Sequence, residues 1–266
     1  MRPKKSLSQN FLVNDKAAAR IAEALGLKRD DTVLEIGAGL GALTRHFLDT
    51  SGAVYAVEID KRLCSDLRKR FGSKRNLNII NKDILKVNLE ELIGPGNSCK
   101  VVGNLPYQIT SPVLSLLLQN RKFIVLCVLT VQKEVALRIC ASPGEKDWSV
   151  LSIAVQLYSD VDVLFHLKPT SFFPPPRVES SVIKMVLLSE PKVNVPDEEF
   201  FFRVVRSAFG QRRKTLLNSL AANLNLPKGE IEVILRKVEL DPQRRAETLG
   251  LDEFAALSSA MMKILS

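Results

Sequence analysis

The stretch that decides the fold reads Thr32-Val33-Leu34-Glu35-Ile36-Gly37-Ala38-Gly39-Leu40-Gly41-Ala42-Leu43-Thr44. A short apolar, β-branched run breaks into a glycine-rich turn, and a helical pattern follows at once. A strand, a glycine-rich turn and a helix in that order predict a nucleotide-binding turn at the end of a buried parallel strand. Glycines permit the tight turn and let a ligand approach main-chain N–H groups that a Cβ atom would cover.

This turn is compatible with two kinds of adenosine ligand. Residues 37–42 satisfy the pattern Gly-x-Gly-x-x-Ala of NAD-type sites, whereas residues 35–41 read Glu-x-Gly-x-Gly-x-Gly, which is typical of S-adenosylmethionine-dependent methyltransferases. The next predicted strand, 53–57, ends at Glu58, about 20 residues downstream, where an acidic side chain meets a ribose. The sequence therefore predicts an adenosine cofactor and leaves its identity open; a turn that only packs on a helix is the alternative without a ligand.

Charge and composition favour a polyanionic partner. The 266 residues carry a formal net charge of +9, which favours nucleic acid over a membrane surface. Two histidines and four cysteines without a CxxC pair predict no metal site. The longest apolar stretch, 123–131, is too short to span a bilayer, and the N-terminus lacks an apolar signal segment. We expect a cytoplasmic protein without a membrane partner, monomeric by default.

Strand and helix patterns alternate through residue 160. Predicted strands lie at 32–36, 53–57, 77–80, 99–102 and 123–129, and helical patterns, among them 111–119 and 131–140, lie between them. This alternation predicts an α/β fold with a Rossmann-like doubly wound sheet. Two more strands, 161–166 and 181–186, have no full crossover helix between them, so an antiparallel hairpin at the sheet edge is expected. The prolines of 172–177 predict a stiff, extended loop there.

The composition changes near residues 190–198, where prolines and an asparagine mark a linker. Four amphipathic helical segments without a strand pattern follow, at 198–208, 213–223, 229–236 and 252–264. We therefore expect an α/β cofactor-binding domain over 1–190, beginning with a basic arm at 1–12, and a small all-α domain over 197–266.

Asn104-Leu105-Pro106-Tyr107 follows the fourth predicted strand, at the sheet edge where open α/β sheets bind ligands. An adenine amino nitrogen is a poor nucleophile because its lone pair is delocalised into the ring. The Asn104 side-chain oxygen and the Leu105 carbonyl can hold its two hydrogens and aim the lone pair at a methyl group. Tyr107 offers a ring face for an extruded base. Hydride transfer has no use for these groups, so the motif favours methylation by positioning.

Each of these segments also has a purely structural interpretation. Asn-x-Pro-aromatic is a common turn, Phe172 suits an apolar core, and Asp83, just past the third strand, suits a helix N-cap. Their order at successive strand ends favours the functional interpretation.

Jointly, seven segments resemble the KsgA-type rRNA adenine dimethyltransferase family over essentially the whole chain. They are 9–12 (Gln-Asn-Phe-Leu), 35–41, 58–60 (Glu-Ile-Asp), 83–84 (Asp-Ile), 104–107, 172–180 (Phe-x-Pro-x-Pro-x-Val-x-Ser) and 209–216 (Phe-Gly-Gln-Arg-Arg-Lys-Thr-Leu). Some are weak singly, but the set is specific.

The resemblance implies a role for each segment. Residues implied to bind S-adenosylmethionine are Asn10 and Leu12 over its methionine end, Gly37 against it, Glu58 on its ribose hydroxyls, Asp83 on its adenine amino group, and Asn104 beside its methyl group. Asn104 and Leu105 would orient the target amine, and Tyr107 and Phe172 would sandwich the target base. The family's Phe-x-Pro spacing favours Phe172 over the adjacent Phe173.

The resemblance also implies the substrate, two adjacent adenines in the 3′-terminal hairpin loop of small-subunit (16S) rRNA, each dimethylated during late small-subunit assembly. Loop adenines are easier to extrude than paired ones. The implied partner is a partly assembled small subunit. The basic residues implied to bind its phosphates are Arg2, Lys4, Lys5, Arg212, Arg213 and Lys214, for which a solvated surface patch is the alternative.

Three competing functions stay open at this point. The related dimethyltransferase of large-subunit rRNA is disfavoured by Gln-Arg-Arg-Lys-Thr at 211–215 and by the full-length helical tail. DNA adenine methyltransferases usually carry Asp or Asn with two prolines in place of Asn-Leu-Pro-Tyr. An RNA-binding assembly factor with incidental catalysis would tolerate the loss of Asn104.

Overall fold

The computed structural model describes residues 3–4 and 7–265 of the chain. Its contacts group into two compact units, one of Met1–Ala136 with Ser159–Ser189 and one of Leu137–Tyr158 with Glu190–Ser266. The expected domain over 1–190 thus includes a segment, 137–158, that groups with the C-terminal helices. The functional boundary at 190–197 stays a prediction.

Nine strands are present in the described chain: β1 Phe11–Leu12, β2 Thr32–Ile36, β3 Ala53–Val57, β4 Leu77–Ile80, β5 Cys99–Asn104, β6 Ile124–Gln132, β7 Ser159–Leu167, β8 Phe172–Phe173 and β9 Ser180–Leu187. Seven of them form one mixed sheet in the order β4-β3-β2-β5-β6-β9-β7. The first five are parallel, and β9 runs antiparallel to both β6 and β7. The Rossmann-like α/β sheet and its antiparallel edge hairpin are confirmed.

Helices connect and follow these strands. The first unit holds α1 Asp15–Ala24, α2 Lys61–Phe71, α3 Leu89–Ile93, α4 Thr110–Gln119 and the start of α5 Lys133–Cys140. The α1 helix begins where Asn14 Oδ1 accepts a hydrogen bond from the Ala17 amide at 3.1 Å, as expected of an N-cap asparagine.

The prediction of a helix directly after the glycine turn is wrong. Residues 44–46 form a single 3₁₀ turn, Thr44–His46, in which the amides of His46 and Phe47 donate three residues back, at 2.9 and 3.1 Å. The Thr44 hydroxyl is bound to the end of β2, and the Phe47 ring is fully buried. The Thr44–Glu35 hydrogen bond and the burial of Phe47 both favour a short 3₁₀ turn over a longer α-helix.

Apolar side chains fix the sheet against α1. The cluster joins Ala17, Ala18, Ile21 and Leu25 to Val33, Val54, Val102, Val128 and Val182, all within 5 % exposure. The near-continuous apolar character of β2, β5 and β6 reflects burial on both faces of the sheet. This packing holds the carboxyl ends of β2, β3, β4 and β5 at one edge.

The basic arm contains a strand that the sequence analysis did not predict. β1 pairs antiparallel with β8, with Phe11 opposite Phe173 and Leu12 opposite Phe172. The 172–177 loop, expected to be extended, begins as this short strand. The pairing fixes the arm next to the sheet edge that carries the predicted site.

The second unit is helical. It holds the end of α5, α6 Val150–Leu157, α7 Glu198–Phe209, α8 Leu216–Leu224, α9 Lys228–Lys237 and α10 Leu251–Leu265, so the four predicted C-terminal helices are confirmed. The buried Trp148 indole donates to the Leu249 carbonyl at 2.9 Å and ties the 137–158 segment to the start of α10. Over residues 3–4 and 7–265, no helix has both the length and the apolar content needed to cross a membrane.

Candidate active site

One cavity lies at the carboxyl edge of the sheet. Its walls come from the arm (7–11), from the turns after β2 (36, 37, 39), β3 (57–59) and β4 (82–84), and from the segment after β5 (104–109). The predicted site residues that line it are Asn10, Gly37, Glu58, Asp83, Asn104, Leu105 and Tyr107. Ligands of open α/β sheets bind at such an edge.

The main-chain N–H groups of the three glycines in the turn are used within the protein. Gly37, Gly39 and Gly41 have φ of +73°, +56° and +75°, which L side chains rarely adopt. Their N–H groups donate to the Val57 carbonyl at 2.8 Å, to Glu58 Oε2 at 3.0 Å and to the Ala38 carbonyl at 2.8 Å. Since these three donors are used internally and no α-helix starts here, the turn is poorly suited to a pyrophosphate. This disfavours the NAD interpretation.

Glu58 presents a buried carboxylate at the end of β3. It is 5 % exposed, and its Oε2 and Oε1 atoms accept from the amides of Gly39 and Asp60 at 3.0 and 2.8 Å. Burial raises the pKa of Glu58, and these two N–H bonds oppose the rise. A carboxylate has four lone pairs, so Glu58 keeps acceptor capacity for ribose hydroxyls beside these amide bonds.

Asp60 anchors both α2 and the arm. Its buried carboxylate pairs with Arg62 at 2.7 Å and with the Lys4 ammonium at 3.3 Å. The hydrogen bonds from Arg62 hold the pKa of Asp60 well below its ordinary value. Lys4, predicted to bind phosphate, therefore has a partner within the protein, while Arg2 and Lys5 lie outside the described residues.

Glu35 lies beneath the glycine turn and is 1 % exposed. The Thr44 hydroxyl donates to its Oε2 atom at 2.6 Å. Burial raises the pKa of Glu35 to about 8, the Thr44 bond opposes the rise, and the neighbouring Glu58 adds to it. Glu35 thus keeps its proton at neutral pH, a property that its place in the glycine pattern does not reveal.

The Asn-Leu-Pro-Tyr segment is held at three points. The Asn104 Nδ2 atom donates to the Asn10 carbonyl at 2.8 Å, and the Leu105 amide donates to the Thr130 carbonyl at 3.2 Å. The Leu105 side chain is buried, and the residue lines the cavity. The Tyr107 hydroxyl meets Ser180 Oγ at 2.8 Å, and burial raises the pKa of Tyr107.

Asp83 both lines the cavity and caps a turn. Its Oδ1 atom accepts from the Leu85 amide at 3.1 Å, so the N-cap interpretation is correct for one of the two carboxylate oxygens. The second oxygen can take a ligand donor.

Leu12 and Phe172 do not line the cavity and belong to the apolar core cluster. They are 5 % and 4 % exposed, whereas the ring of Phe173 is 56 % exposed. The structural interpretation of Phe172 is therefore correct for this conformation, and the stacking of Phe172 on a base stays a prediction.

The second basic cluster belongs to the helical unit. Arg212, Arg213 and Lys214 lie exposed between α7 and α8, and the Arg212 Nη2 atom donates to the Lys146 carbonyl at 2.8 Å. In the part of the chain described, His, Cys, Asp and Glu side chains form no group of three that would hold a metal ion.

The sequence is similar to a named family over almost its full length. A family model described as ribosomal RNA adenine dimethylase matches residues 1–262. The chain is 44% identical over 267 residues to the ribosomal RNA small subunit methyltransferase A of Geobacter metallireducens, covering 99% of this chain and 97% of that protein. It is 41% identical over 265 residues to the protein of the same name from Alkaliphilus oremlandii, covering 98% and 92%.

Two solved structures share the architecture. A dimethyladenosine transferase from Plasmodium falciparum superposes with a TM-score of 0.82 at 28% identity, over 95% of this chain and 98% of that chain. The 23S rRNA methyltransferase ErmE superposes with a TM-score of 0.74 at 26% identity, over 95% and 100%.

Proposed function

This chain belongs to the ribosomal RNA adenine dimethylase family, and from that premise we propose its substrate and the roles of its residues. It transfers methyl groups from S-adenosylmethionine to the exocyclic amines of two adjacent adenines in the 3′-terminal hairpin loop of small-subunit rRNA. The products are dimethyladenosines, made during late assembly of the small subunit. The relatives that carry the small-subunit name at 41–44% identity support this choice of RNA.

The hydrogen bond from Asn104 to the Asn10 carbonyl carries the proposal. Because Nδ2 is used as the donor, the side-chain orientation is fixed and Oδ1 is left as an acceptor. Within residues 3–4 and 7–265, Oδ1 accepts no hydrogen bond. An acceptor held at the end of β5, in the cavity that also contains Glu58, suits an amine that must be oriented toward a cofactor.

The cavity residues fit S-adenosylmethionine better than a dinucleotide. Glu58 would accept from the ribose hydroxyls, the second oxygen of Asp83 from the adenine amino group, and Gly37 and Asn10 would lie along the remainder. An ideal Cβ atom at Gly37 would approach the Asn104 carbonyl no closer than 3.9 Å, so the absence of a side chain there leaves room for a ligand. When bound, S-adenosylmethionine supplies a methyl group already activated by its sulfonium charge.

The residues after β5 then act by positioning. The Asn104 Oδ1 atom and the Leu105 carbonyl accept the two amine hydrogens and direct the nitrogen lone pair. Pro106, with φ of −58°, keeps these two acceptors in one geometry. Tyr107 supports the extruded base, and Phe172 would support its other face. Alignment of this kind can lower the barrier by roughly 7–11 kcal/mol.

No strong general base is needed in this arrangement. Glu35 is neutral and buried behind the glycine turn, so it does not serve as one. The methylated nitrogen loses its proton to solvent, and Asn104 can accept the one hydrogen that remains before the second transfer.

The helical domain over 197–266 would bind the RNA outside the target loop. Arg213 and Lys214 are exposed and offer charge to phosphates, and Arg212 keeps donors beyond the one it gives to Lys146. Large-subunit rRNA is the second candidate, favoured by the similarity to ErmE, but at lower identity than the small-subunit relatives.

The test is methyl transfer from radiolabelled S-adenosylmethionine to small ribosomal subunits that lack the modification, with wild type beside Asn104→Ala. Dimethyladenine in the small-subunit RNA, lost in the variant, is the expected result. Label in large-subunit RNA alone would identify that RNA, and not small-subunit RNA, as the substrate. No label in any RNA despite cofactor binding would leave a role in assembly.

A further inference from the structure

The hydroxyl of Tyr107, which lines the cavity, meets the hydroxyl of Ser180 on β9, two strands from β5 in the sheet. The two oxygens are 2.8 Å apart, Tyr107 lies just after β5, and Ser180 is the first residue of β9. In the sheet order β5-β6-β9, this contact spans one whole strand. The main chain of Tyr107 is thus fixed by the turn after Pro106, and its hydroxyl is fixed by Ser180 on β9.

Ser180 is a rigid point of attachment. Its side chain is 0 % exposed, and its Cα pairs with Gln132 on β6 and with Leu167 on β7. On one side, the Lys133 amide donates to the Glu179 carbonyl at 3.0 Å and the Lys133 ammonium meets Glu179 Oε2 at 2.7 Å. A serine fixed by two neighbouring strands holds its hydroxyl in one place.

Ser181, the next residue, is equally buried but contacts a different strand. Ser181 is also 0 % exposed, and its Oγ atom lies 2.8 Å from the Nδ1 atom of His166 on β7. Since neighbouring strand residues point to opposite faces, Ser180 and Ser181 have the same burial and different targets. The chain therefore offers a matched control.

We infer that Ser180 is a positioning residue for methyl transfer, which acts by holding the Tyr107 ring in the orientation that receives the target adenine. The inference rests on the proposed function, in which Tyr107 supports that base. Without the Ser180 hydroxyl, the tyrosine ring turns between rotamers in the free enzyme and must be ordered when the base enters. Ordering a side chain at binding weakens the complex with RNA and leaves the cofactor site unchanged.

The effect of removing the bond has a definite size and location. Loss of a neutral hydrogen bond predicts a fall in kcat/KM for unmodified small subunits of roughly three- to ten-fold. The fall should lie mainly in KM for the RNA substrate, and the affinity for S-adenosylhomocysteine should equal that of the wild type. A merely structural serine would lower the thermal midpoint and impair both sites together.

A double-mutant cycle tests this inference. Ser180→Ala, Tyr107→Phe and the double variant are compared with wild type in kcat, KM, cofactor affinity and thermal midpoint, with Ser181→Ala as the control. The expected result is that both single variants lose activity to a similar extent, the double variant loses no more than either, and Ser181→Ala keeps wild-type kinetics.

Other outcomes overturn the inference. Wild-type kcat/KM in Ser180→Ala, or losses that multiply in the double variant, would show that the hydroxyl does not act through Tyr107. If Ser180→Ala does not fold, Tyr107→Phe breaks the same bond from the partly exposed side, and wild-type kinetics in that variant would overturn it. A wild-type protein that methylates no small subunit would overturn the proposed function, and the role of Ser180 with it.

Discussion

The Asn104 side-chain amide donates a hydrogen bond of 2.8 Å to the main-chain carbonyl of Asn10, which joins the end of β5 to the arm. One side chain thus has two tasks, since Nδ2 holds the arm and Oδ1 is free to accept from the target amine. The two atoms can be separated by substitution.

Asn104→Asp should keep the acceptor and lose the donor. A carboxylate facing the Asn10 carbonyl is repelled, so the arm loosens and the amine acceptor moves. We expect kcat/KM to fall at least about 100-fold and the affinity for S-adenosylhomocysteine to fall about 10-fold, measured by methyl transfer and by calorimetry. Asn97→Asp is the control, because Asn97 Nδ2 also donates to a carbonyl, that of Ile93, away from the cavity. Unchanged cofactor affinity in Asn104→Asp would contradict the arm's dependence on this bond.

Gly41→Ala should destabilise the protein more than Gly96→Ala. Both glycines have positive φ, +75° and +76°, so both substitutions strain the backbone by about 1 kcal/mol. A Cβ atom at Gly41 would also lie 2.6 Å from the Phe71 ring and 2.9 Å from Leu67, whereas nothing lies within 4 Å at Gly96. We expect a loss of about 3 kcal/mol in the free energy of unfolding for Gly41→Ala, measured with urea. Equal losses in the two variants would mean that the turn has room for a methyl group.

Glu35→Gln should change how stability depends on pH. The pKa of Glu35 is about 8 in the folded protein and ordinary in the unfolded chain, so the folded state holds one proton more between about pH 4.5 and pH 8. Wild type therefore loses free energy of unfolding as pH rises through that range, and the glutamine variant lacks this loss. Urea unfolding should show that, from pH 5.5 to pH 8.5, the free energy of unfolding of the variant rises relative to that of wild type. A difference independent of pH would place an ionised Glu35 in the folded state.

Arg213→Ala together with Lys214→Ala should weaken binding to unmodified small-subunit RNA at every sequence tested. Each lost phosphate contact lowers the slope of log affinity against log salt by about 0.7 to 0.9. Arg236→Ala is the matched control, because Arg236 is exposed on the same unit but paired with Glu232 at 2.7 Å. Filter binding over a salt series measures the slopes, and an unchanged slope in the double variant would remove this cluster from the RNA interface.

Phe172→Leu and Phe173→Leu should separate the two candidate stacking rings. Stacking of a base on an aromatic ring contributes roughly 1–3 kcal/mol, so loss of the ring that stacks should lower kcat/KM about 10-fold. We expect that fall for Phe172→Leu, accompanied by a modest loss of stability because Phe172 is 4 % exposed. A kinetic loss confined to Phe173→Leu would assign the stacking role to the exposed ring.

The sheet could be predicted because each of its buried strands has a pattern that is visible in a few consecutive residues. β2, β3, β5 and β6 are buried on both faces, so each reads as a short apolar run, and a turn or polar residue ends it. The rule that parallel strands end at one edge also predicted that Glu58, Asp83 and Asn104 would meet at one cavity.

The parts that could not be predicted depend on contacts distant in sequence. The two-residue strands β1 and β8 have no periodic pattern, and their pairing joins Phe11 to Phe173. The helix expected after Leu43 was wrong because a core contact and the Glu35–Thr44 bond decide that segment. Ser180 stood in a recognisable motif, yet its contact with Tyr107 requires the sheet order.

The pairing of β1 with β8 also sets an order of events during synthesis. The arm with β1 is synthesised before β2 through β7, and its partner strand β8 is synthesised only after them. A nascent chain that stops before Phe172 has the strand ends of the cavity and no partner for the wall that Asn10 and Phe11 form. In translation the arm is therefore made before β2 through β7 and can pair only after them, so the wall that it gives to the cavity is completed when six strands of the main sheet have already been synthesised.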